Sequence, residues 1–164
     1  MEQLLESIIK ETTNKYTQVH EQAKLALDFL ESYSKAPASD YRKKVLPVVT
    51  AALESGNNKL GQQTVAIIHK IGKDNRFHNN ELEEDQSNWL TQQVIDSLSN
   101  LPHIVPDLQT DYLQALLTLS YHACWIVSGS ISFYELISIF HPFFFRSNCA
   151  TNTFNLPRDN ISEH

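Results

Sequence analysis

Glycine is scarce in this chain, at four residues of 164, and proline is hardly commoner at six. So few breaks suit an all-helical chain and leave no glycine-rich loop to cradle a phosphate. A Gly-x-Ser-x-Gly nucleophile elbow is also missing; Ser128-Gly129-Ser130 is the nearest approach and does not fit it. The chain therefore reads as a non-enzyme, with no catalytic and no cofactor-binding residue. Cysteine occurs only twice, at Cys124 and Cys149, too few for a disulfide framework at this length. Positive charge is short as well: the net charge is −6 and the pI about 5.6. Nucleic acid as the main partner would need clustered Lys and Arg. Only Arg42-Lys43-Lys44, flanked by Asp40, approaches such a cluster, and it reads as a solvated helix start. The start, Met1-Glu2-Gln3, lacks the n-region and h-region of a signal peptide, so a reducing cytosolic setting is expected. The sequon Asn160-Ile161-Ser162 would be idle there.

Metal chemistry finds no support. His122, Cys124, His141 and Cys149 fit no finger spacing and read as packing residues. The acidic run Glu81, Glu83, Glu84 and Asp85 lacks the alternating ligands and central glycine of a calcium loop, and reads as solvated. The span 123–145 carries one formal charge, Glu135, which raises a membrane-inserted reading. Ser128-Gly129-Ser130, His141-Pro142 and a capping box at Ser132 to Glu135 interrupt it. A buried helix is the preferred reading, with a membrane-anchored protein kept as an alternative.

What is present is helical periodicity. From Val45 to Phe77 the sequence reads as two helices joined by a very short turn. Leu46, Val49 and Leu53 make one apolar stripe; Gly61, Thr64, Val65, Ile68 and Ile71 make the next. Gly56 falls where a left-handed C-cap belongs, and Asn57 or Asn58 can cap the second helix. Before this hairpin, residues 2–10 form a short helix and Thr12-Thr13-Asn14 a break. A second helix runs to about Ser34, with Tyr16, Val19, Ala23, Leu27 and Leu30 on one face. Ser39 or Asp40 is expected to cap a third helix. After the hairpin, residues 73–87 read as a loop too polar to pack. A fifth helix is expected over 87–101 and a sixth along Leu108, Tyr112, Ala115, Leu116 and Leu119, with a loop around Pro102 and Pro106 between them. A seventh is expected over 132–145. The rest, 146–164, is polar and is expected to be a disordered tail.

Leu53, Leu60, Val65, Ile68 and Ile71 repeat as Leu98, Leu108, Leu113, Leu116 and Leu119, at an offset of about 45 residues that grows after the second interhelix loop. Two helices per unit at that period predict an all-α, armadillo/HEAT-like α-solenoid of about seven helices over residues 1–145. A generic HEAT-type adaptor is one reading of such a chain. Phe143, Phe144 and Phe145 cannot all face one side of a helix, so they join Lys59, Gln62 and Gln63 of the hairpin as a candidate protein-interaction surface.

Leu46-Pro47, Ala52-Leu53-Glu54-Ser55, Lys59-Leu60, Ile71 and Arg76-Phe77 resemble the N-terminal dimerisation and cyclophilin-binding (DCB) domain of the large brefeldin-inhibited Arf exchange factors and their MON-type relatives, closest to the divergent exchange-factor-like branch. Leu4-Leu5, Lys15-Tyr16, Ala26-Leu27, Asp107-Leu108-Gln109 and Leu116-Leu117-Thr118-Leu119 match as well, so the likeness covers about residues 1–119. The resemblance implies a self-associating helical domain that contacts the homology region downstream of it and serves Golgi or endosomal vesicle traffic. It further implies a homodimer, a cytoplasmic protein only peripherally at membranes, and Arf-family GTPases among its partners. Neither the Asn-aromatic-Asp-Cys signature of the homology-upstream region nor the exchange domain occurs in this stretch. By the resemblance the stretch is a fragment that does not itself activate Arf.

Overall fold

The computed structural model describes residues 1–13, 15–79, 84–98 and 105–120. All of them lie in the first of two units, Met1–Ser130; the second, Ile131–His164, lies outside the described residues. So do the expected seventh helix, the polar tail and the His122, Cys124, His141 and Cys149 set.

Six α-helices follow one another among the described residues: α1 (Glu2–Thr12), α2 (Thr17–Ser32), α3 (Ala38–Glu54), α4 (Asn58–Ile71), α5 (Leu90–Ser97) and α6 (Pro106–Ser120). Two 3₁₀ turns, Asn75–Phe77 and Gln86–Asn88, lie between α4 and α5. There is no strand among the described residues, and the all-α, solenoid-like expectation holds. The helices pack in two layers. In one, α3 lies between α2 and α5; in the other, α4 lies between α1 and α6. The α1/α2 and α3/α4 pairs join the layers.

The internal repeat is visible in the burial. Leu53, Leu60, Ile68 and Ile71 are buried, and so are their counterparts Leu98, Leu108, Leu116 and Leu119. Val65 and Leu113 are both half-buried. The spatial register agrees. Thr50 Oγ1 donates to the Ser97 carbonyl, and Tyr112 Oη donates to the Gly61 carbonyl at 3.1 Å. Residues 47 to 51 apart thus meet, and α5 and α6 lie parallel to α3 and α4. Gly61 is what lets α6 approach: a Cβ there would come within 2.3 Å of Leu108 Cδ2. Tyr112, fully buried, also hydrogen-bonds Thr64 Oγ1, and burial raises its phenol above the ordinary tyrosine range.

The α3/α4 turn has the expected chemistry. Gly56 sits at φ +64°, in the region glycine enters without strain. Asn57 Oδ1 accepts from the Lys59 and Leu60 amides at 2.9 and 3.2 Å, and Asn57 Nδ2 donates to Tyr16 Oη. Asn57→Ala should therefore lower the unfolding free energy by about 1 kcal/mol, read from urea denaturation. Asn57→Asp, which keeps the cap acceptor, should lose less; equal losses would mean that the bond to Tyr16 matters more than the cap.

Several expectations are corrected. Thr12 does not break α1; it is buried inside it, with its hydroxyl donating to the Ile8 carbonyl at 2.7 Å. Tyr16 is not on the apolar face of α2 but is its N-cap, 37% exposed and at φ +59°. Ala26 takes the fully buried place, with Leu27 half-buried. Neither Ser39 nor Asp40 caps α3, which starts after Pro37 without a side-chain cap. Pro106 opens α6 rather than interrupting a loop; its fixed φ and missing N–H suit a first helical position. The polar stretch after α4 does pack, because Phe77 is fully buried against Tyr41.

Candidate protein-interaction surface

Arg42 overturns the solvated reading of the basic triplet, for it is 1% exposed. Its position follows from the α3 stripe: counting back from Leu53, Val49 and Leu46 by helical steps reaches residue 42. Its guanidinium joins three separate segments. Nε donates to Gln93 Oε1 of α5 at 2.7 Å, Nη1 to the Phe77 carbonyl and Nη2 to the Asn88 carbonyl. Arg42 thus holds both 3₁₀ turns and α5 onto α3. Lys43 and Lys44 are exposed; Lys43 Nζ donates to Asn88 Oδ1, and Lys44 lies over the Phe29 ring.

A second polar tie fixes the Asn75–Phe77 turn to α1. Arg76 pairs with Asp74 and with Glu2, each at 2.7 Å. The guanidinium pulls the Glu2 carboxyl down to about 2 and holds Asp74 below the usual carboxylate range. Because both folded-state values are depressed, this stability is complete above the unfolded carboxylate range. It drains away as pH falls from about 4.5 toward 2. Arg76→Gln should accordingly flatten the fall in melting temperature over that interval. An unchanged slope would place the acid sensitivity elsewhere.

Along the outer side of α3, between α2 and α5, runs an open groove of about 470 Å³. Its apolar part is Leu46, Pro47 and Ala51; its polar rim includes Gln18, Lys43, Gln93 and Asp96. Pro47, inside α3, has no N–H to give the Lys43 carbonyl. Gln93 is 8% exposed, and its Nε2 has no hydrogen-bond partner among the described residues.

The sequence-chosen surface residues are placed differently from one another. Lys59 is exposed and pairs with Glu11 at 2.5 Å, linking α4 to α1. Gln62 is exposed, whereas Gln63 is half-buried with Oε1 out of reach of solvent. Phe143, Phe144 and Phe145 lie outside the described residues. Sequence reasoning missed the groove: Gln93 and Asp96 carry no motif, and only the register of α5 on α3 brings them beside Lys43 and Pro47. Among the described residues no group of His, Cys, Asp and Glu could hold a metal, and no helix is long and apolar enough to cross a membrane.

Residues 1–153 match the family model of the Mon2/Sec7/BIG1-like dimerisation and cyclophilin-binding domain. The chain belongs to the DCB family. Its DCB sequence is similar to the human brefeldin A-inhibited guanine nucleotide-exchange protein 3, 31% identical over 134 residues. The mouse protein of the same name is 29% identical over the same length. Each alignment covers 79% of this chain and 6% of the relative, so the chain spans a small part of the curated proteins it matches. No solved structure matches it. The DCB assignment agrees with the helical hairpin: Leu46, Ala52 and Leu53, which carried the resemblance, are buried packing residues.

Proposed function

We propose that this chain is a non-catalytic self-association and protein-interaction module of an Arf-exchange-factor-like protein in Golgi or endosomal vesicle traffic. The observation that carries the reading is the DCB match over residues 1–153, on a stacked helical fold suited to a scaffold. The partners are a second copy of the chain, the homology region downstream of DCB domains in exchange factors, and Arf-family GTPases. The setting is cytoplasmic, with peripheral attachment to Golgi or endosomal membranes. The interaction domain is taken as residues 1–145, with 146–164 as a tail. Lys59, Gln62, Gln63 and Phe143 to Phe145 are the first surfaces to test.

The deciding experiment is the molar mass of the 164-residue chain by light scattering during gel filtration, without detergent. A discrete species at twice the 18.8 kDa chain mass supports self-association. A monomer at every concentration up to the micromolar range would overturn it.

A further inference from the structure

We propose that a second copy of this chain docks on the outer face of α2, with the two α2 helices side by side and parallel about a twofold axis. Leu25 and Phe29 meet their own counterparts across that axis, and Asp28 of each copy meets Lys44 of the other. The inference rests on the self-association reading above and names the surface that carries it.

Helical spacing builds the face. Leu25, Phe29 and Tyr33 follow at four-residue steps and form one stripe along α2 and its C-cap. Leu25 is 58% exposed and Tyr33 57%, with Phe29 half-buried between them. Single exposed apolar side chains are ordinary; three aligned on one helix make a patch. The patch is also held in shape. Phe29 stacks on Tyr33 with ring centroids 4.8 Å apart and meets Tyr41 of α3 edge-on at 5.6 Å. Tyr41 Oη donates to the Tyr33 carbonyl, which fixes the chain as it leaves the helix. A partner thus meets aromatic rings already ordered, so little side-chain freedom is lost on binding.

Charge selects the occupant. At about 100° per residue, a turn about the α2 axis passes Asp28 and Glu21, then Leu25, Phe29 and Tyr33. The acids therefore flank the stripe on the side away from α3. On the α3 side the flank is basic, for Lys44 Nζ stands 5.9 Å from the centre of the Phe29 ring. Glu21, Asp28 and Lys44 are all exposed, and none belongs to an ion pair among the described residues. An interface between identical copies must be self-complementary under a twofold axis. An axis parallel to α2 keeps every residue at its own height and exchanges the two flanks. Asp28 is the chain neighbour of Phe29, so it comes level with the lysine that the other copy holds over Phe29. The match occurs twice, as flanking charges do beside the seam of a parallel coiled coil. An antiparallel pair would instead set the acidic flanks against each other. The matching family is described as a dimerisation and cyclophilin-binding domain, which independently favours a second copy.

The test measures molar mass by light scattering across the micromolar range on the 164-residue chain and its variants. Leu25→Asp should raise the dimer dissociation constant by about tenfold or more. Leu117→Asp, equally exposed but on α6, should leave it unchanged. Asp28→Lys and Lys44→Glu should each weaken the dimer alone, by setting like charges together. Mixed in equal amounts they should recover it, because the reversed charges then face each other in a heterodimer. These sites are exposed, and urea melts check that every variant folds. A parent that is monomeric throughout overturns the self-association reading and this surface together. A dimeric parent whose mass is indifferent to Leu25→Asp, or sensitive to Leu117→Asp, overturns the surface and leaves self-association standing. Failure of the mixed charge variants to re-pair overturns the parallel twofold arrangement.

Discussion

Arg42→Met should cost this domain about 3 kcal/mol or more of unfolding free energy, at about 1–3 kcal/mol for each buried acceptor left unpaired. Methionine fills much of the space of the arginine stem, so the loss is not a cavity effect. What is lost is a donor for each of three acceptors: Gln93 Oε1 and the Phe77 and Asn88 carbonyls. These acceptors belong to three different elements, and the segments holding the two carbonyls are short turns with little periodic structure of their own. Leaving them unpaired in the interior penalises each in turn. Arg42→Lys should also be damaging, because one ammonium on a flexible stem cannot reproduce a planar fork aimed at three oxygens. Urea denaturation of the two variants measures this directly. A loss under 1 kcal/mol in the methionine variant would show that the turns are held by other contacts.

Ile68→Asp should abolish the cooperative unfolding transition. Ile68 is fully buried on α4, the helix flanked by α3, α1 and α6. A carboxylate there either stays ionised without a partner or takes up a proton at a strongly raised pKa. Either outcome costs an amount comparable with the 5–15 kcal/mol that keeps a typical domain folded. Gln62→Asp, on the exposed side of the same helix, is the control and should melt within about 0.5 kcal/mol of the parent. It is a cleaner control than Gln63, whose Oε1 is buried. Equal melting temperatures for Ile68→Asp and the parent would mean that the α3/α4 hairpin is not built as described.

The hairpin was legible in the sequence because several local signals coincide there. The stripe on each helix, a glycine at the left-handed position and an asparagine cap all select the same turn. The repeat was legible because the same packing environment recurs, down to the half-buried pair Val65 and Leu113. The capping of α3 was not, because Ser39 and Asp40 are good caps in isolation while Pro37 sets the chain's entry two residues before Ser39. The fate of Arg42 was hidden by composition. Three adjacent cations look like a solvated face, yet helical geometry sends residue 42 inward and leaves 43 and 44 outside. The groove was illegible for a different reason. It is made where α5 settles against α3, and its residues come from segments some 40 positions apart in sequence. No local pattern records that register. Only the offset of the repeat contains it, and only once Thr50 is seen to meet Ser97.

The stacking of α5 on α3 and of α6 on α4 also governs how the domain comes apart. The last two helices gain their principal partners from the middle pair, with no comparable contact to α1 or α2. Stability in such an arrangement travels from neighbour to neighbour. Amides of α5 and α6 can thus exchange with solvent through an opening that leaves the first four helices folded, whereas loosening α3 and α4 removes the principal support of α5 and α6 and leaves α1 and α2 only each other. The hairpin is the hinge-pin of the stack: among the described residues it is the one pair of helices packed against both flanks.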